Sequence, residues 1–143
     1  MKFLKVLAMA LCAYVALVIV FETYLGIAQP RFASTVPGNR YATILLTTAA
    51  KDGSRQSRVV QPMLTDGHLY VSANHWPRSW YNRVLENQEV EVTDNGQTKD
   101  YLAVLISPTS EENDRLEREH PHPAWFRFLT GYPPRRFVRL DPR

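Results

Sequence analysis

The sequence predicts an α+β, mainly β, fold: a small antiparallel barrel of six strands with short helices outside it, behind one apolar N-terminal helix. Three observations predict it. After residue 41, short apolar or alternating runs recur at hairpin spacing, with Asp66-Gly67 and Asn95-Gly96 marking two tight turns. Helical spacing is confined to short stretches, one mid-domain and two before the last strand. From Phe3 to Leu25 only Lys5 and Glu22 carry charge.

That N-terminal stretch is read first, because it ties the domain to a lipid surface. A helix from Phe3 to Leu25 spans about 34 Å, enough for a bilayer core of about 30 Å. Lys5 can snorkel to one headgroup layer, and Tyr24 suits the opposite interface. Residues 1–28 are therefore expected to be a retained single-pass anchor. The competing reading is a cleaved signal, with Gly26-Ile27-Ala28 as a small-x-small cleavage site. Lys2, Lys5 and the terminal amine precede the span. The positive-inside bias then puts the N-terminus in the cytoplasm and the domain on the extracytoplasmic side.

The chain has 143 residues and a net charge of +3. Once the anchor is set aside, one domain's worth remains. Cys12, the single cysteine, lies inside the apolar span, so the domain has no disulfide, no thiol nucleophile and no Cys/His zinc set. Arg127, Arg135, Arg136, Arg139 and Arg143 crowd the C-terminal end without forming a basic run of nucleic-acid type. Membrane lipid or a phosphate-bearing ligand suits them better than nucleic acid.

Residues 29–40 hold Pro30, Pro37 and Gly38 and read as a linker, which leaves 41–143 as the domain. Residues 42–50 are a β-branched apolar run, expected to be a strand buried on both faces. Gly53 closes a turn into a second strand, 57–64, where Pro62 points to an edge or a bulge. Strands follow at 68–73, 89–94, 98–106 and 136–140. Trp80, Tyr81, Val84 and Leu85 fall at helical spacing within 78–87. Thr109 and Glu112 form a capping-box pattern for a helix that stops at Pro121, and a second short helix covers 124–129.

The six glycines are scattered singly, so neither a dinucleotide fingerprint nor a P-loop is present. There is no G-x-S-x-G elbow and no H-E-x-x-H. His120-Pro121-His122 lacks neighbouring acids or thiolates, and no metal site is expected there. The unusual segment is Ser72 to Tyr81, which gathers two tryptophans, a tyrosine, a histidine and an arginine at a strand exit. Such rings and donors suit a planar, phosphate-bearing cofactor, with Arg58 on the neighbouring strand as a further donor. Trp80 is expected in the core. Asn74, His75, Trp76 and Arg78 are expected to contact ligand.

Several of these runs together resemble the deazaflavin-dependent nitroreductase and quinone reductase family. They are Leu45 to Thr48, then Arg58-Val59-Val60-Gln61-Pro62, the run Leu69 to Ala73, Trp80-Tyr81 with Asn87 after them, and Val90-Glu91-Val92. The resemblance covers about Tyr41 to the C-terminus. It implies the split β-barrel of the flavin-binding pyridoxamine-phosphate-oxidase superfamily, and commonly a homodimer. It also implies that Arg58, Ser72, Ala73, Asn74, His75, Trp76, Arg78 and Tyr81 bind the cofactor, and that Tyr132 sits by the substrate pocket. The chain departs from the family pattern in a shorter loop, Asn74 to Ser79, and in Arg83 and Gln88 where asparagine and proline are usual.

With the apolar helix, the resemblance implies a membrane-anchored oxidoreductase. It would transfer hydride from a reduced deazaflavin coenzyme (factor 420), or from FMN, to a quinone-like or nitroaromatic acceptor. Tyr132 or His75 would be the proton donor. The other reading is a non-catalytic barrel in the cell envelope holding haem, another tetrapyrrole or lipid.

Overall fold

The computed structural model describes residues 2–32, 43–76 and 79–143. Most of the expected linker, and Arg78, lie outside the described residues. The elements in order are α1 (Lys2–Phe32), β1 (Ile44–Ala49), β2 (Arg55–Val60), β3 (Met63–Thr65), β4 (His68–Ala73), α2 (Ser79–Glu86), β5 (Glu89–Asp94), β6 (Gln97–Leu105), α3 (Glu111–Glu119), α4 (Ala124–Leu129) and β7 (Arg136–Pro142).

The strands form one antiparallel sheet in the order β2-β1-β5-β6-β7-β4-β3. Seven strands stand where six were expected, and Pro62 is the reason. Without an N–H it cannot continue a hydrogen-bonded ladder, so the expected 57–64 strand breaks into β2 and β3. The break also shapes the sheet. β2 and β3 lie at its opposite edges, yet Val60 and Met63 are joined by at most about 11 Å of chain. Six strand spacings of about 4.8 Å would hold the edges of a flat sheet about 29 Å apart. The sheet must therefore curl until its edges approach.

Inside the curl, Ile44, Leu46, Val71, Val90, Val92, Ala103, Val138 and Leu140 form the main core with Trp80 and Val84 of α2. Trp80 and Val84 are four residues apart, so they share the helix face that caps the barrel. β1 is buried on one face only; its alternate residues are half-buried, because no layer fully covers the outer side. A second core cluster, Met63, Tyr70, Ile106, Leu116 and Phe137, lies under α3.

Both predicted two-residue turns form with positive φ at each centre, 49° and 77° at Asp66-Gly67 and 47° and 78° at Asn95-Gly96. Those angles give the turn whose twist matches the flanking strands. The cap of α3 falls one residue later than Thr109. Ser110 Oγ accepts from the Asn113 N–H at 3.1 Å, a contact worth about 1 kcal/mol. Glu112 is thereby released from the capping box and instead accepts from the Tyr70 hydroxyl at 2.7 Å.

α1 continues past residue 28 to Phe32. Phe3–Leu25 is long and apolar enough to cross a membrane by length and composition. Its two halves differ. Phe3, Leu4, Val6, Leu7, Met9 and Leu11 are exposed. From Tyr14 onward the helix touches the domain. The Tyr14 hydroxyl donates to Phe128 O at 2.9 Å, and Phe21 meets Phe126 edge-on at 6.3 Å between ring centres. Val18 lies against Gly131, where an added Cβ would sit 3.0 Å from a Val18 methyl and φ is 71°, so this close approach requires glycine.

Candidate ligand-binding site

The curled sheet leaves a cavity of about 620 Å³ at one end. β2 contributes Arg58, and β4 with its exit contributes Ser72, Ala73, Asn74 and His75. The α3–α4 connection adds His120 to Pro123, α4 adds Trp125 and Phe126, and Leu25 of α1 closes one side. The strand geometry explains why β2 and β4 meet here. β2 is one of the two approaching sheet edges and β4 lies next to the other, β3, so side chains remote in the sheet order converge on one space.

Electrostatically the cavity is a cationic rim around neutral imidazoles. Burial pushes the His122 imidazole down to about 4, helped by Arg135, and its Nε2 is buried with no hydrogen-bond partner among the described residues. Burial also pushes His75 down, opposed by the Glu22 carboxylate beside it. Near neutrality both rings therefore favour the uncharged form, in which one nitrogen donates and the other accepts. Arg135, whose side chain is only 9 % exposed, is lowered by burial. It donates to Asn74 Oδ1 at 3.0 Å and to His120 O at 2.5 Å, and its guanidinium lies 4.6 Å from the Phe137 ring centre.

The expected site residues separate into groups. Arg58, Ser72, Ala73, Asn74 and His75 all line the cavity. Asn74 gives its side-chain oxygen to Arg135 rather than pointing it wholly at a ligand. Trp76 stands outside the lining. Its indole N–H donates to Thr130 O at 2.9 Å and so pins the turn after α4. Tyr81 is half-buried against Trp80, with ring centres 5.9 Å apart, and also lies outside the lining. Tyr132 lines a smaller adjoining cleft of about 190 Å³ that shares Asn74, His122, Phe126 and Arg135 with the cavity wall. Its φ is 51°, and Arg127 lies 5.7 Å from its ring centre.

Residues not anticipated are Arg135, His122, Trp125, Phe126 and two from α1, Glu22 and Leu25. The His-Pro-His motif is visible in sequence, where its residue types raise only the question of a metal site. Its stiff chain, set between two helices, instead turns an imidazole inward. Among the described residues no three His, Cys, Asp or Glu side chains gather into a metal-holding cluster.

A second cleft of about 540 Å³ opens beside α3, lined by Asp66, His68, Tyr70, Glu111, Glu112, Arg115, Arg118 and Arg139. Many of its charges are already paired. Arg139 reaches Glu112 at 3.2 Å and Asp141 at 2.8 Å, Arg115 pairs with Asp66, and Tyr70 donates to Glu112. Arg139 holds the Asp141 carboxyl below its usual range, while burial first and then Glu112 push the Tyr70 hydroxyl up.

No family model matches the chain, and no curated protein matches it. Solved structures do. The haem storage protein HutZ from Vibrio cholerae is 15% identical with a TM-score of 0.54, over 80% of this chain and 89% of that one. An F420-H2-dependent reductase, FDR-A, is 20% identical with a TM-score of 0.52, over 70% and 94%. A structure described as a domain-swapped dimer is 20% identical with a TM-score of 0.57, over 85% and 96%. At these identities the likenesses show the split-barrel fold alone and single out no family.

Proposed function

We infer that the 620 Å³ cavity binds a flat, anionic redox cofactor, a reduced deazaflavin or FMN, in an oxidoreductase that acts on a quinone-like or nitroaromatic acceptor. The observation that carries this is convergence. Five of the residues expected to contact cofactor, from two separate strands, line one cavity beside the aromatic rings of Trp80, Trp125 and Phe126. The volume falls within the range of about 300–1,000 Å³ usual for small-molecule sites. The FDR-A likeness, at the level of fold, is consistent with this chemistry.

A bound reduced cofactor would supply the hydride. The chain's own residues would do the rest. Arg58 would hold the anionic tail by charge-assisted hydrogen bonds. Trp125 and Phe126 would cover the ring and exclude water. His75, at the cavity wall, would deliver a proton to the reduced acceptor, with Tyr132 in the adjoining cleft as the further donor. The exposed apolar part of α1 would hold the protein at a membrane near lipid-dissolved acceptors, with the N-terminus cytoplasmic and the domain outside when α1 is drawn fully across. A homodimer is part of this reading, supported by the domain-swapped dimer of similar fold.

Titrating the full chain in detergent with F420 and with FMN, followed by absorbance and tryptophan quenching, tests the proposal. Saturable binding of one of them at micromolar concentration is expected; no binding of either at tens of micromolar would end it.

One observation favours a second reading, a haem-binding barrel. The His122 Nε2 is buried, neutral and without a hydrogen-bond partner among the described residues, which is the state that ligation of a haem iron would require. The likeness to HutZ is consistent with it. Added haemin would then give a Soret band that His122→Ala abolishes; a band unchanged in that variant rules out His122 as the axial ligand.

A further inference from the structure

We propose that Glu22, carried on the N-terminal apolar helix, is a positioning residue of the cavity: it fixes the tautomer of His75 across the junction between α1 and the barrel. The inference depends on the redox reading for its purpose, though not for its geometry.

Glu22 is the one acid between Phe3 and Leu25, and its presence there demands a cause. A carboxylate in an apolar helix is costly unless it is solvated or paired. Here its side chain is only 9 % exposed. The only described partner is His75, whose Nδ1 sits 3.4 Å from Oε1 in hydrogen-bond geometry and 3.3 Å from Oε2 outside it. Oε2 is otherwise buried without a hydrogen bond among the described residues. These separations are at the long end for a charge-assisted contact, as acid–base pairs often are before a ligand closes the site.

The chemistry of imidazole gives this contact a consequence. A carboxylate oxygen can only accept, so the neutral ring facing it must carry its proton on Nδ1. Nε2 is then the acceptor, and any proton that His75 exchanges within the cavity passes through Nε2. A carboxylate behind a histidine both sets the ring orientation and stabilises the charged ring when a proton arrives. His75 lines the cavity and Glu22 does not, so Glu22 acts through His75. Leu25, one helical turn beyond Glu22, lines the same cavity, which ties this part of α1 to the site by a second contact.

The test is the tautomer itself, which needs neither cofactor nor substrate. Full-length protein labelled with 15N, in micelles and near neutral pH, would be studied by long-range 1H–15N correlation, with His75 assigned from a His75→Gln sample. Wild type is expected in the Nδ1–H form. Glu22→Ala should move His75 mainly to the Nε2–H form, and Glu22→Gln, whose amide oxygen still accepts, should retain Nδ1–H. A wild-type ring found in the Nε2–H form, or a Glu22→Ala spectrum with the tautomer unchanged, overturns the proposal. Failure of the redox reading shows differently, as no cofactor binding in a protein whose His75 tautomer still follows residue 22.

Discussion

The two large clefts have nearly the same volume, about 620 and 540 Å³, and opposite characters. The cleft beside α3 is crowded with charge, but its acids and bases largely satisfy one another through Arg139, Glu112, Asp141, Arg115 and Asp66. The cavity at the barrel end has fewer charged groups and one imidazole nitrogen that is buried with no hydrogen bond among the described residues. Density of charged residues is therefore a poor guide to a binding site. The charged cleft also keeps Arg115 Nε buried and unbonded among the described residues, so what distinguishes the two is the kind of capacity left over: a neutral ring nitrogen in the cavity, a cationic donor in the cleft.

Arg135 gives the harshest way to break that distinction, because it belongs to the cavity wall yet is internally paired. Arg135→Ala strands Asn74 Oδ1 and His120 O in a buried setting, and a loss of about 3 kcal/mol is expected in urea unfolding. Arg58→Ala should sharpen the contrast. Affinity for the anionic cofactor is expected to fall about 30-fold, near 2 kcal/mol, as read by titration. In the charged cleft the expected pattern reverses. Tyr70→Phe removes the hydroxyl bonded to Glu112, which should lower stability by about 1.5 kcal/mol and leave cofactor titrations unchanged.

The most gradual effect is a pH dependence. Native His122 titrates near 4, below the ordinary histidine value of 6.5, so between those values the unfolded chain binds the proton and the native one does not. Stability is then full above about pH 6.5 and declines as pH falls toward 4. The slope is at most about 1.4 kcal/mol per pH unit, and solvent screening of a half-buried ring reduces it. His122→Gln should flatten the part of the melting-temperature profile that His122 contributes, while His75, lowered in the same direction, keeps the sign of the rest.

Much of the barrel was legible because local chemistry fixed it. Asp66-Gly67 and Asn95-Gly96 specify their turns, the alternation of residues 89–94 specifies a half-buried strand, and Trp80 with Val84 specifies a capping helix face. Pro62 was recognised as an anomaly, but its effect, sending the chain from one sheet edge to the other, is a property of the whole sheet. The lining of the candidate cavity was legible where its residues adjoin in sequence, at Ser72 to His75. Arg135, Phe126 and Leu25 were not, because each reaches the cavity from an element that no local pattern pairs with β4. Trp76 shows the converse. Its polar ring suggested a ligand, and the structure uses that N–H to hold Thr130.

The point at which α1 first touches α4 has a consequence for posture. Eleven residue steps separate Tyr14 from Phe3, about 16 Å of helix, roughly half the thickness of a hydrocarbon core of about 30 Å. Complete passage of Phe3–Leu25 through lipid and the seating of Tyr14, Val18 and Phe21 on the domain thus exclude each other. Drawing the helix the remaining distance into the bilayer would pull Glu22 off His75 and Leu25 out of the cavity wall. Depth of immersion and completeness of the site are two readings of one coordinate.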